Sequence, residues 1–300
     1  MKLGLIGLGN FGINYIKNIN NIENLDLSFV CSKDKKKIDG LNENIEYFTN
    51  WMDSLEFAES KRVDGLIVAI NPEMHFKIGM ESLKKKIPVL LEKPATTHLY
   101  EAVELSEASI EYQTPFYINY INLKSQPFKY LLKLIKIEDI LNIESCNYNN
   151  GPFRNFSSFW DWGIHEISLG CSLFKSYPHI DYVEVRKNNY SKGEKYHIIL
   201  DYNGKKHSMW FGNGFDRRNS SIEINTIQEN SYTIKNNNLF LNNKQLTSFE
   251  QNTALKESIQ HFQNIIKNNS NIEEPFLTIE CTKIMSEIEE MINSNKCVFC

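Results

Sequence analysis

Apolar residues along this chain fall into two alternating rhythms. Residues 2–7 (KLGLIG) form a continuous run of strand length, and Ile13, Ile16 and Ile19 then recur at helical spacing. Residues 25–31 and 63–70 are further strand-like runs. The second of these (VDGLIVAI) is β-branched and unbroken, as a strand buried on both faces should be. Met74, Ile78, Met80 and Leu83 predict a helix over 73–85. A short strand at 88–91, a helix over 97–111 and a strand at 116–119 follow. This alternation predicts a parallel, doubly wound sheet, an α/β domain spanning 1–119.

Past residue 119 the pattern changes. Phe128, Leu131, Leu132 and Ile135 predict a helix, 140–148 a strand, and 160–174 a helix reached through a Gly-Pro loop. Strands then read at 182–186, 195–202, 205–211 and 220–226, with Asn203-Gly204 as a two-residue hairpin turn between two of them. The asparagine clusters at 236–238 and 242–243 read as turns of a meander, and helices over 254–268 and 278–293 close the chain. Residues 120–300 are therefore expected to form an α+β domain with an open, largely antiparallel mixed sheet.

Composition narrows the function classes. A chain that is 41% hydrophobic and 23% charged is that of an ordinary soluble globular protein. A net charge of -4 argues against nucleic acid as the main partner. No apolar run approaches the ~18 residues of a membrane span, and no export signal is read at the N-terminus. The six scattered cysteines (Cys31, Cys146, Cys171, Cys281, Cys297 and Cys300) fit reduced thiols of a cytoplasmic protein. Cys297 and Cys300 make a C-x-x-C without a second pair, so no metal site is expected.

The candidate chemistry lies in three places. Gly7, Gly9 and Gly12 form G-x-G-x-x-G between a strand and a helix, with Asn10 and Phe11 inside the loop. Such a loop turns tightly, lets backbone approach a pyrophosphate, and sets that anion on the helix N-terminus. The second strand ends in Ser32-Lys33, where an NAD site usually places an acid. A hydroxyl and a cation suit a 2′-phosphate, which favours NADP over NAD, although Asp34 could still serve a ribose. Lys93 ends an apolar strand, where doubly wound sheets bind ligands, and Asp161 and His165 stand one helical turn apart. A neutral imidazole with a pKa near ~6.5 is a suitable general base for an alcohol, and a nearby ammonium stabilises the alkoxide.

Taken together, GLIGLGNFG, Asn71-Pro72 with His75, Glu92-Lys93-Pro94, the Asp161-x-x-x-His165 pair and Ala254-Leu255 with His261-Phe262 resemble the glucose-fructose oxidoreductase / inositol dehydrogenase (Gfo/Idh/MocA) family almost end to end. The resemblance implies an N-terminal Rossmann domain and a C-terminal domain whose sheet often joins subunits, hence a homo-oligomer. It implies that Lys93 contacts both nicotinamide and substrate, and that Asp161 and His165 line the substrate pocket, the histidine carrying the proton. Asn71, Pro72, His75 and Glu92 are expected beside the cofactor, and Asn122, Lys124 and Arg154 beside the substrate. The arginine usual near Asn122 and Lys124 is absent, and Ser168 stands where relatives often carry Asp. The expected activity is hydride transfer between NADP or NAD and a secondary alcohol or ketone of a sugar, polyol or nucleotide-sugar. A non-catalytic nucleotide-binding regulator and a reductase of an imine or tetrapyrrole share the fold as alternatives.

Overall fold

The unbroken apolar runs of the first half become the strands of one parallel sheet. The computed structural model describes residues 1–34, 45–187, 193–251, 253–270, 274–294 and 298–299. Strands β1 (Lys2–Ile6), β2 (Asp26–Cys31), β3 (Glu46–Phe48), β4 (Gly65–Val68), β5 (Val89–Leu91) and β6 (Phe116–Ile118) pair in the order β3-β2-β1-β4-β5-β6. All of these pairings are parallel. Helices α1 (Asn10–Ile19), α2 (Trp51–Ser60), α3 (His75–Lys84) and α4 (Leu99–Glu111) connect the strands. The order reverses between β1 and β4, which creates the crevice at the strands' carboxyl ends where such sheets take ligands.

The second sheet is larger and mixed. Its helices are α5 (Gln126–Leu134) and α6 (Ser158–Phe174). Its strands are β7 (Ile140–Asn150), β8 (His179–Lys187), β9 (Glu194–Tyr202), β10 (Lys205–Gly212), β11 (Gly214–Thr226), β12 (Ser231–Lys235), β13 (Asn238–Leu241), β14 (Lys244–Ser248) and β15 (Val298–Phe299). They order as β14-β13-β12-β11-β7-β10-β9-β8-β15, and only β7/β10 and β8/β15 run parallel. Asn203 (φ 56°) and Gly204 (φ 89°) make the tight turn between β9 and β10. Asn236, Asn237, Asn242 and Asn243 also adopt positive φ at the hairpins around β13, a conformation asparagine tolerates better than most residues. Phe128, Leu131, Ile143, Leu169, Leu173 and Ile224 form part of the core between α5, α6 and this sheet.

The chain divides into two compact units, and the boundary is not a single cut near residue 119. Residues 255–279 belong with Met1–Tyr120, and 280–300 with Ile121–Ala254. The returning element is α7 (Ala254–Asn268), ahead of α8 (Glu274–Asn293). Phe262 of α7 is fully buried, stacks on Tyr117 of β6 at 6.4 Å, and packs where Gly65 of β4 leaves no room for a Cβ. The amphipathic pattern of 254–268 shows that one face is buried, but not which sheet it covers. The short edge strand β3 and helix α2 were also not read from sequence. Three residues at an edge carry too little periodicity. Lys35–Lys37, Cys297 and Cys300 lie outside the described residues, while Cys31, Cys146, Cys171 and Cys281 are thiols and not disulfides. Among the described residues no helix is long and apolar enough to cross a membrane.

Phe262→Ala should cost about 3–5 kcal/mol, the usual range for a buried phenylalanine, read as a fall in the denaturant midpoint. A change below about 1 kcal/mol would mean that α7 does not cover the first sheet.

Candidate active site

The glycine loop is built by two close approaches. Gly7 has φ +109°, and a Cβ there would run into the Ala69 carbonyl, 2.7 Å from its carbon. A Cβ on Gly12 would strike the Gly7 carbonyl group, so α1 can start only where both residues are glycine. Gly9 differs, because a Cβ there meets nothing within 4 Å among the described residues. No packing demand explains this glycine, whereas a pyrophosphate drawn close to the backbone does. Helix α1 begins after Gly9 with no side-chain cap and no acid in its first turn. Its leading N–H groups, with the exposed Asn10 and Phe11 beside them, are thus available to an anion. The residues present fit a dinucleotide.

Around this loop lie the other predicted cofactor residues. Ser32 follows β2, its hydroxyl accepts the Asp34 N–H at 3.2 Å, and its carbonyl accepts the Tyr47 hydroxyl. Lys33 is exposed. Asn71 precedes the 3₁₀ turn Pro72–Met74 after β4, and its backbone carbonyl accepts the Met74 N–H at 3.2 Å.

His75 and Glu92 are placed differently from expectation. His75 is fully buried, with Nδ1 2.8 Å from the Pro94 carbonyl and Nε2 3.1 Å from the Ile70 carbonyl. Burial holds its pKa below the usual imidazole value, against the pull of both carbonyls. The ring therefore ties the loop after β4 to the loop after β5 and has no nitrogen left for a cofactor. Glu92 points inward. Its Oε1 accepts the Tyr15 hydroxyl at 2.6 Å and the Asn119 amide at 2.7 Å, and the amide also reaches the Tyr15 oxygen at 2.8 Å. Burial raises the Glu92 pKa, while these donors and the Lys93 charge oppose the rise. Lys93 itself is half-buried at the carboxyl end of β5 and joins Pro94 through a cis peptide.

The remaining candidates gather on the second unit, around α6. From Ser158 to Cys171 every residue is buried except Asp161, Trp162 and His165. A helix sunk in the core thus opens one window, and that window holds the acid and the imidazole. Gly163 between them lets the helix close on β10, since a Cβ would sit 2.9 Å from the Phe211 ring. Ser158 at the helix start donates to Glu194 at 2.6 Å, which seats that end on β9. Arg154 pairs with Asp161 at 3.2 Å from an exposed loop, so the two predicted substrate contacts are partners of each other in this structure. Asn122 and Lys124 lie in the 3₁₀ turn Ile121–Lys124, which packs against α6. Ser168 does not support the imidazole, because its hydroxyl donates to the His165 carbonyl at 3.0 Å.

A family model described as the oxidoreductase family GFO_IDH_MocA, NAD-binding Rossmann fold, matches residues 1–120. Over these residues the chain matches the Gfo/Idh/MocA oxidoreductase family. Residues 1–120 are accordingly an NAD(P)-binding Rossmann domain. The chain is 25% identical over 185 residues to a 2,7-anhydro-N-acetylneuraminate hydratase of Escherichia coli, covering 61% of this chain and 49% of that one. It is 28% identical over 112 residues to inositol 2-dehydrogenase 2 of Paenarthrobacter aurescens, covering 37% of this chain and 33% of the relative. The chain thus spans half or less of the length of these curated relatives. A UDP-N-acetylglucosamine 3-dehydrogenase from Acidithiobacillus ferrooxidans shares the fold, with a TM-score of 0.79, 16% identity and 96% of each chain covered.

In this protein, sequence reasoning passed over the buried polar groups. Tyr15 sits on the apolar face of α1, and Asn119 ends the apolar β6. A polar residue closing a buried strand at its ligand-binding end was the available signal for Asn119. Glu166 and His207 gave none. Glu166 is buried on the far side of α6 among Ser145 and Asn147, and burial pushes its carboxyl up to about 7. Ser145 in turn meets His207 Nε2 at 2.8 Å, and burial holds that imidazole down to about 3.

A carboxyl raised in the folded state supports folding while protonated and loses that contribution as pH rises from its unfolded value of 4.5 through about 7. Wild type should therefore lose on the order of 3 kcal/mol between pH 5 and 8 from this group, and Glu166→Gln should remove most of that slope. Denaturant titrations across the pH range check it, and an unchanged slope in the variant would refute it.

Proposed function

We propose that this protein is an NADP-preferring oxidoreductase acting on a secondary alcohol or ketone of a sugar, polyol or nucleotide-sugar. The observation that carries this reading is the α6 window, where an acid and an imidazole are the titratable groups an otherwise buried helix leaves half-buried. A helix meant only for packing would gain nothing from them. Lys93 at the ligand-binding end of the Rossmann sheet and the sugar-directed names of the relatives support it.

A bound nicotinamide supplies the hydride acceptor or donor. The protein's own groups manage the proton and the charge. An imidazole nitrogen of His165 takes the hydroxyl proton in oxidation and returns it in reduction, a contribution of roughly 10²–10⁴-fold. Asp161 orients the imidazole or holds a neighbouring substrate hydroxyl, and an anionic substrate group would draw Arg154 away from it. The Lys93 ammonium stabilises the alkoxide as the proton leaves. Ser32 and Lys33 bind a 2′-phosphate through charge-assisted hydrogen bonds, which makes ketone reduction the favoured direction in cells.

A second reading, hydration of an anhydro sugar, is favoured by the E. coli relative. It would show as product formed with no net change in NADP(H). We further take the second sheet as a self-association face in a cytoplasmic enzyme, because its Trp210 and His197 rings stack at 4.0 Å and Tyr148 stacks on Phe215 at 4.0 Å. Light scattering should give a mass above one chain for wild type, and a smaller one for Trp210→Glu.

Fluorescence titration should show NADPH binding at least tenfold tighter than NADH, and the reverse order would overturn the Ser32-Lys33 assignment. A screen of sugar and nucleotide-sugar alcohols should find a substrate on which Lys93→Ala and His165→Ala each lose at least 10²-fold in kcat. Full activity in both variants would remove these residues from the chemistry, and binding without turnover on any of these substrates would leave a regulator.

A further inference from the structure

The backbone just past β2 is held from one side. Cys31, the last residue of β2, gives its carbonyl to the Gly7 N–H at 2.8 Å, on the β1 side. Ser32 then turns to β3. Its N–H donates to the Phe48 carbonyl at 2.9 Å, and its carbonyl accepts the Tyr47 hydroxyl. Tyr47 lies opposite Val30 and Phe48 opposite Cys31 in the β2/β3 ladder. The Phe48 ring seats β3 against Phe29 at 5.7 Å and Phe57 at 5.2 Å. The Ser32–Lys33 peptide is trans, so its N–H points opposite to its carbonyl. With that carbonyl drawn to β3, the Lys33 N–H is turned to the β1 side, where the glycine loop follows its strand. The Ser32 hydroxyl accepts the Asp34 N–H at 3.2 Å and keeps its own hydrogen to give, which nothing takes among the described residues.

We propose that Tyr47 is a specificity-determining residue for the dinucleotide: by holding the Ser32 carbonyl, it positions the Ser32 hydroxyl and the Lys33 N–H as donors to a ribose 2′-phosphate. This rests on the NADP reading given above and adds to it a residue of β3, which the sequence did not reveal. Phosphate oxygens accept hydrogen bonds, so a carbonyl turned toward them repels where an N–H attracts. Without the phenol, the Ser32–Lys33 peptide can rotate and bring its carbonyl to the ligand side. Ser32 is half-buried and Lys33 exposed, so a ligand can reach both. The Lys33 ammonium adds charge on a flexible stem, whereas the turn supplies direction. Tyr47, its hydroxyl engaged by the carbonyl, acts through that turn.

The experiment is calorimetric titration of the intact protein with 2′,5′-ADP and with 5′-AMP, which differ only in the 2′-phosphate. Wild type should bind 2′,5′-ADP at least tenfold more tightly than AMP. Tyr47→Phe keeps the ring and removes the tie. It should lose at least fivefold in affinity for 2′,5′-ADP while its affinity for AMP stays within twofold of wild type. Ser32→Ala, which removes the side-chain donor itself, should lower the same preference. A preference unchanged in Tyr47→Phe, or an equal loss for both ligands as a merely structural defect would give, overturns the proposal. If Ser32→Ala loses the preference and Tyr47→Phe keeps it, the NADP reading stands and the Tyr47 assignment alone falls. If wild type shows no preference, both fall. A second measurement needs no variant: the Lys33 amide proton should move downfield in NMR spectra of wild type with 2′,5′-ADP and not with AMP. The same shift with both ligands, or with neither, overturns the proposal even if Tyr47→Phe fails to fold.

Discussion

A carboxyl group buried at the end of β5 constrains the whole first unit. Leaving Glu92 without partners in the interior would cost several kcal/mol, so its surroundings must deliver donors with good geometry. They come from Tyr15 on α1 and Asn119 at the end of β6, with Ser258 on α7 orienting the amide. Three elements far apart in sequence are thereby held in one register around the strand that ends in Lys93. The position of that lysine is a consequence of interior bookkeeping as much as of its own strand.

The same logic operates at the glycine loop and at α6, with van der Waals contact in place of hydrogen bonds. Gly7 and Gly12 bring α1 against the sheet, and Gly163 and Gly170 bring α6 against β9 and β10. Each close approach fixes where a helix begins or which of its faces is covered. What is left uncovered is then the first N–H groups of α1 and the Asp161/His165 window of α6. Gly9 stands apart from these, since its missing Cβ serves no contact among the described residues.

Several site residues changed meaning once their neighbours were known. His75 belongs to the family-like pattern, yet its two nitrogens face backbone carbonyls, which makes it a tie between loops. Arg154 was read as a substrate clamp and is found paired with Asp161. Ser168 bonds to its own helix. In each case the residue type announced a capacity to hydrogen-bond, and only the packing supplied the partner. Tyr15 and Asn119 show the converse, because both looked like ordinary parts of apolar elements.

The local rhythms of the sequence determined most elements. These include the parallel strands with their helices, the α6 helix that puts Asp161 and His165 on one face, the Asn203-Gly204 hairpin and the glycine loop. They are set by side-chain period and backbone sterics, which act over a few residues and so can be read directly from neighbours in the chain. Tertiary structure alone decided which sheet α7 covers, where residues 255–279 belong, and which polar groups meet in the interior. Amphipathicity records that a face is buried without recording against what, and a hydrogen bond between residues 104 apart, like that of Asn119 to Tyr15, leaves no trace in local spacing.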